Sequence, residues 1–348
     1  LGGYLSSHNA NSIYLGAHYN TLKLNSYDFD AGLYLGQTYQ AGMISSRMDI
    51  GRSRPMYLNL LIVSQMHSYN KSLEPFYAIN TPTFISDNEN YAKLSLGFPI
   101  ANRAKLEFSA GYGYIVNRYN QNDQIEYNDN VRDNSMGMTS MHIETNWLDN
   151  INYPTSGGFF QATASYIFGT ERFKPVYATQ QPQKIAHNYF QVRASALYYL
   201  PINSPFALGI RGEFCYNNNQ FCENYIATMI QAPAFQPTPT SLNTFNTALR
   251  ANQYMAVGIQ PIWKIINNLQ IRTEFYGFAP IYTIKRDTNG KAYYGEAFES
   301  IRFFGEAAIV YSLPWAALSV HTNYCSPTSQ WTFGVTFGLQ LFAPKFIQ

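Results

Sequence analysis

Arg211 and Glu213 stand two residues apart in FALGIRGEFCY, and Arg272 and Glu274 repeat the spacing in IRTEF. A cation and a carboxylate at i and i+2 share one face of a β-strand. Lys93, Arg302, Glu306 and His321 fall on the same parity in their own segments. The chemistry such a set offers is a network of ion pairs along one wall. Other reactive constellations are missing. The six histidines, His8, His18, His67, His142, His187 and His321, show no paired spacing of the zinc-site kind, and there is no CxxC, so no metal is expected. Cys215 and Cys222 enclose YNNNQF and could pair in an oxidising envelope, while Cys325 stands alone. Three cysteines do not make a disulfide scaffold. LGGYLSS is glycine-rich but opens a strand, so it is no phosphate cradle and no cofactor is expected.

The elements that must position those charges read as strands. In QWTFGVTFGLQLF, residues 330–342, Trp331, Phe333, Val335, Phe337, Leu339 and Leu341 alternate with Thr332, Gly334, Thr336, Gly338 and Gln340. Period two makes a strand with one apolar and one polar face. A soluble sandwich would charge its wet face. Small uncharged polar residues facing a confined wet space, with aromatics facing something oily, suit a membrane barrel. Composition agrees. Only 13% of the 348 residues are charged and 16% are aromatic, with mean hydropathy -0.23. A helical membrane protein would show apolar runs of about 20 residues, and none occurs without polar interruption. A net charge of +2 without a basic tract argues against nucleic acid.

Alternation and turn residues together predict sixteen strands near 1–7, 11–22, 27–37, 40–49, 55–67, 86–98, 103–117, 135–148, 158–168, 188–200, 205–217, 252–264, 269–284, 298–312, 316–324 and 330–342. Every second connection is short: KLNS, GRSR, IANR, YPTSGG, INS, INNL and LPW. These are expected as periplasmic turns. The longer stretches around 68–85, 118–134, 169–187 and 218–251 are expected outside the cell. Both chain ends then lie on the periplasmic side. Parity sends Leu106, Phe108, Tyr112, Phe206, Ile210 and Phe214 to lipid, and Lys105, Glu107, Arg211 and Glu213 to the lumen. A charge facing lipid at mid-depth would cost roughly 2–4 kcal/mol. Trp147, Tyr198, Tyr199, Trp263, Trp315 and Trp331 are expected in the interface girdles.

NWLDNINYPTSGGFFQATASY, 146–166, resembles the strand–turn–strand of the outer-membrane insertase and translocator superfamily, the bacterial surface antigen type. WTFGVTFGLQLF resembles its C-terminal assembly-signal strand, with Trp331, Phe333 and Phe337 along it and Phe342 at its aromatic end. VSQMHSYNKS, PTFISDNENYAKLSLGFPI and APAFQPTPTS are similar to the barrel half of patatin-like phospholipases from the Bacteroidetes type of outer membrane. The resemblance implies a sixth external loop folded back into the lumen and anchored by an Arg-Gly-aromatic motif. Here that loop is 218–251, and the motif is absent. Arg250 in LRANQY is the nearest candidate, with Glu213 or Glu274 as acidic partner, although Ala251 replaces the glycine. An ordinary lumenal or interfacial arginine is the plainer reading. Patatin catalysis needs a serine in G-x-S-x-G, which does not occur, and Asp30-Ala31-Gly32 matches the aspartate motif only loosely. Asp30 is therefore read as a strand or turn residue.

These observations predict an all-β, sixteen-stranded antiparallel transmembrane barrel of the bacterial outer membrane, a single domain over 1–348 with an in-folding sixth loop. With no initiator Met or signal segment, the chain is expected to be a processed or truncated product, the C-terminal part of a longer protein. By resemblance, that protein is a patatin-like phospholipase whose barrel anchors or translocates an upstream serine lipid acyl hydrolase. The alternatives are an insertase or translocator barrel, a passive pore, or a structural subunit of an envelope complex. Expected partners are outer-membrane lipid, the barrel assembly machinery, and an envelope protein or a second copy of the chain.

Overall fold

Period-two alternation becomes sixteen strands hydrogen-bonded edge to edge in one closed antiparallel barrel. The computed structural model describes residues 2–8, 10–21, 25–51, 55–69, 85–119, 130–175, 182–203, 205–326 and 329–347. The strands are β1 (Gly2–Ser6), β2 (Ser12–Thr21), β3 (Tyr27–Gly36), β4 (Tyr39–Ile50), β5 (Met56–Tyr69), β6 (Ile85–Ala101), β7 (Ala104–Tyr119), β8 (Asn130–Asn146), β9 (Gly157–Lys174), β10 (Gln183–Asn203), β11 (Phe206–Asn217), β12 (Gln253–Ile266), β13 (Leu269–Pro280), β16 (Arg302–Ser312), β17 (Ala317–Cys325) and β18 (Gln330–Gly338). Two further strands, β14 (Tyr282–Arg286) and β15 (Ala292–Ala297), form a separate hairpin between β13 and β16. The strand expected at 269–284 runs into β14, and β15 falls in the connection before the strand expected at 298–312. The predicted turns KLNS, GRSR and INS, and the loops around 68–85, 118–134 and 169–187, lie partly or largely outside the described residues.

Among the described residues no helix is long and apolar enough to cross a membrane. The barrel crosses with its strands. Its outer face carries Leu94, Phe108, Tyr112, Ile210, Val257, Ile309 and Phe333, each more than two-fifths exposed. The inner face carries Gln65, Glu89, Ser109, Arg193, Glu213, Gln260, Arg272 and Glu306, and most of these polar groups are hydrogen-bonded to a neighbouring strand or to a segment folded into the bore. An apolar exterior around a satisfied polar interior is stable in a bilayer and unfavourable in water. The chain is therefore an outer-membrane barrel.

About 9–11 residues suffice for a tilted strand to cross the hydrocarbon core, yet β8, β9 and β10 have 17, 18 and 21 residues. They are therefore long enough to extend beyond the membrane. On the periplasmic side, the turn after β8 is built as its sequence suggests. Asp149 accepts from the Thr155 and Ser156 amides and from the Thr155 hydroxyl, and Gly157 takes φ 95°. Burial acts to raise the Asp149 carboxyl, but these hydrogen bonds outweigh it and hold the group below its ordinary 3.8. The turn leans inward, so Tyr153 packs with Ala308, Val310 and Ala317 inside the bore.

Candidate functional site, the stoppered lumen

Loop six, 218–252, connects β11 to β12 and folds into the barrel. It contains a short helix, α1 (Tyr225–Gln231), capped by the Asn224 side chain on the Ala227 amide. Two 3-10 turns follow, at Thr240–Asn243 and Thr247–Leu249. Prolines at 233, 237 and 239 keep the remainder irregular, so its carbonyls need partners from elsewhere. The wall supplies them. Arg193 Nη2 donates to the Ala234 carbonyl at 3.0 Å, Arg211 Nη1 to that of Pro237 at 3.0 Å, and Arg302 Nη1 to that of Ala248 at 2.6 Å. Thr240 donates to Glu306, and Asn224 to the Tyr119 hydroxyl. Phe235, 1% exposed, is the apolar anchor, packed among Tyr254, Tyr276 and Phe278 of the wall.

Glu213 organises the centre of this contact. It accepts from Arg193 at 2.6 Å, Arg211 at 3.3 Å and the Tyr254 hydroxyl at 2.6 Å. One buried carboxylate thus holds two guanidiniums in position for the loop's carbonyls. Arg250 plays a different part from the expected loop anchor. Its Nη1 donates to the carbonyls of Met229, Ile230 and Ala232, and its guanidinium lies 4.1 Å from the Phe245 ring centre. It ties the end of α1 to the end of the loop. Neither suggested acidic partner holds it, because Glu213 is engaged as above and Glu274 by Arg272 and Tyr276. Arg272 also leaves the loop alone: it donates to the Pro154 carbonyl at 2.7 Å and to Tyr199 at 3.2 Å, bracing the inward-leaning turn.

A second stopper was not foreseen. The predicted last strand stops at Gly338, whose φ of 117° turns the chain out of the sheet. A Cβ there would lie 2.0 Å from the Gly3 carbonyl oxygen, so no side chain fits. Residues 339–347 then run through the bore. Ala343 N donates to the Tyr39 hydroxyl, Gln65 and Tyr91 donate to the Pro344 carbonyl, and Phe346 N donates to Glu89. Phe346, 1% exposed, fills the space over Gly111 and Gly113. Trp331 and Phe333 do face lipid, at 62% and 60% exposed, and Phe337 lies beside Trp315. Phe342, expected at the end of the last strand, lies beyond it in the tail, against Tyr39 and His67. A cavity of about 340 Å³ remains between tail, loop six and wall, lined by Tyr39, His67, Arg193, Gln236, Phe342 and Lys345 among others.

The barrel closes between its first and last strands over three residue pairs, Tyr4 with Gly338, Leu5 with Phe337 and Ser6 with Thr336, the same number by which the five-residue β1 meets β2. The β17–β18 pairing has nine. Ser7 extends the seam by exchanging hydrogen bonds with Val335 at 2.9 and 3.0 Å.

Arg211, Glu213, Arg302 and Glu306 are therefore brought together around loop six, while Arg272 and Glu274 serve the periplasmic turn. Arg193 was missed although its parity in QVRASALYY signalled it. Arg132, Glu171 and His187 were missed because that part of the chain had been read as loop. Tyr199, placed in a girdle by sequence, is buried and hydrogen-bonds Gln260. All three cysteines are free, so the 215–222 bridge is absent. Asp30 sits in β3 with its Oδ1 2.7 Å from His18 Nδ1.

No family model matches the sequence, and no curated protein matches it. Solved structures do. BamA from Haemophilus ducreyi lacking POTRA domains 1-3 superposes with a TM-score of 0.61 at 12% identity, over 97% of this chain and 68% of that one. CdiB from Acinetobacter baumannii gives 0.50 at 8% identity, over 97% of this chain and 59% of that one. At such identities the likeness is one of fold: the closed sixteen-stranded barrel.

Proposed function

We propose that this chain is the membrane barrel of an outer-membrane translocator or insertase, held closed in the state described. The observation that carries the reading is the double stopper inside the barrel. Loop six and the C-terminal tail fill the bore with specific wall contacts. A passive pore has no use for this much internal packing. The likeness to the BamA and CdiB barrels, and the YPTSG turn, support the same reading.

Planar-bilayer recording of the purified chain tests it. The expected result is a closed baseline with brief, infrequent openings. A steady large conductance from the unmodified chain would make it a passive pore and sink the proposal. The expected partners remain outer-membrane lipid, the barrel assembly machinery, and an envelope protein or second copy.

The narrower reading, that this single-domain barrel serves a patatin-like phospholipase, is supported by the resemblance of its segments alone. It predicts a G-x-S-x-G serine upstream of residue 1 in the full gene product. Reading that upstream sequence decides it, and polypeptide-transport-associated domains there would remove it.

A further inference from the structure

Near the end of β9 and the start of β10, Glu171 and His187 lie on the same inward face, close to Cys222 at the entry to loop six. All three are buried, Glu171 and His187 almost completely, and their donor atoms lie within 4.8 Å of one another. We propose that Glu171, His187 and Cys222 form a binding site for a thiophilic divalent cation of the zinc class, which latches loop six to the barrel wall.

Ligand type and placement support this site. Thiolate, imidazole and carboxylate are a zinc-type donor set, and the first two disfavour magnesium and calcium. With Zn–S about 2.3 Å and Zn–N and Zn–O about 2.0–2.2 Å, tetrahedral ligand atoms stand roughly 3.3–3.7 Å apart. The present cluster needs only small side-chain adjustments to reach that spacing. His187 is oriented as a ligand would be: Nδ1 lies 2.9 Å from Asn219 Oδ1, so it carries the proton and Nε2 turns its lone pair inward. That lone pair meets Glu171 Oε2 at 2.8 Å. Two acceptors at that distance repel unless a proton or a cation joins them. Glu171 Oε1, fully buried, has no hydrogen-bond partner, which leaves it free to ligate. Gln231 Oε1 accepts from the Cys222 thiol at 2.7 Å and from Arg132 at 2.6 Å, so the fourth position would fall to water.

Arg132 opposes a cation here, since its Nε is 3.0 Å from Glu171 Oε2. Its guanidinium is also held by Asn117 at 3.1 Å and by Gln231 at 2.6 Å. It therefore occupies one carboxylate oxygen and leaves the other. Once Cys222 gives up its proton to solvent on binding, thiolate and carboxylate together match the ion's two charges. The residual positive charge selects for ions that bond strongly to sulfur and nitrogen.

Metal content and cobalt spectroscopy test the site independently of what the barrel transports. The full chain, purified in detergent and stripped with a chelator, is titrated with Co²⁺. One equivalent should bind, with a thiolate-to-cobalt charge-transfer absorption that Zn²⁺ abolishes. Cys222→Ser should lose the band, whereas Cys215→Ser and Cys325→Ser should keep it. In the wild type, Zn²⁺ should slow alkylation of Cys222 at least tenfold and protect loop six from protease. Absence of the band from the wild-type chain overturns the proposal, whatever the variants do. That result would leave Arg132, Glu171 and His187 as a proton-bridged charge cluster.

Discussion

At the scale of single residues, the lumen is governed by which carboxylates and guanidiniums are left without a partner when one is removed. Glu213 is 5% exposed and shares its oxygens among Arg193, Arg211 and Tyr254. Arg193→Ala would remove one of the three donors to that carboxylate and the guanidinium that holds the Ala234 carbonyl. Losing hydrogen bonds of this kind costs about 1–3 kcal/mol, a loss readable as a lower urea midpoint together with new protease cleavage in loop six. Phe235→Ala should cost about 3–5 kcal/mol by emptying the aromatic socket, with the same two readouts. Arg272→Ala should leave loop six protected, because its bonds run to Pro154 and Tyr199. That contrast separates residues which sequence parity had grouped together. Parity shows which way a side chain points. It carries no information on how far along the bore its partner sits, so Arg211 and Arg272 looked equivalent until the loop and the turn were in place.

At the scale of elements, the strands were legible and the inserted segments were not. Alternation persists wherever one face meets lipid, and all sixteen barrel strands fall on their predicted segments. Where strands rise beyond the membrane, both faces meet polar surroundings and the pattern fades. NVRDNS at the start of β8 and TERFK at the end of β9 read as loop for that reason. The tail misled in the opposite way. LQLFAPKF continues the alternation of β18, yet Gly338 turns it inward and its apolar residues meet Tyr39, Tyr91 and Met136. Shortening the chain after Gly338 should leave the barrel assembled, judged by heat-modifiable gel mobility, and Gly113→Leu should displace the tail by occupying the space of Phe346. The turn after β8 offers a pH test. A depressed carboxylate stabilises the fold fully above its ordinary value and loses that contribution as pH falls through its lower folded value. Asp149→Asn should thus lower the urea midpoint at neutral pH, and the gap from wild type should close as pH falls below about 4.

At the scale of the whole molecule, the barrel is a closed cylinder with two removable fillings. Removing either filling alone should raise outer-membrane permeability modestly, since the other remains. Removing 339–348 and replacing 233–249 by a short Gly-Ser bridge should admit large hydrophilic antibiotics, read as a fall in the inhibitory concentration for cells carrying the barrel. Cysteines at Leu5 and Phe337, which face each other across the closing pair, should cross-link on oxidation and leave that permeability unchanged. Equal permeability of the wild type and the doubly emptied barrel would show that the fillings do not seal the bore. Outside the cell, the β14–β15 hairpin stands against loop six: the Gly290 carbonyl accepts from Tyr225 N, Asn252 donates to the Tyr294 hydroxyl, and Phe221 packs on the Tyr294 ring. The largely exposed tip at 287–291 is thus a surface that an antibody or phage arriving from the medium would meet. Exchanging that tip should change serological identity while the machinery beneath it stays hidden from immune selection.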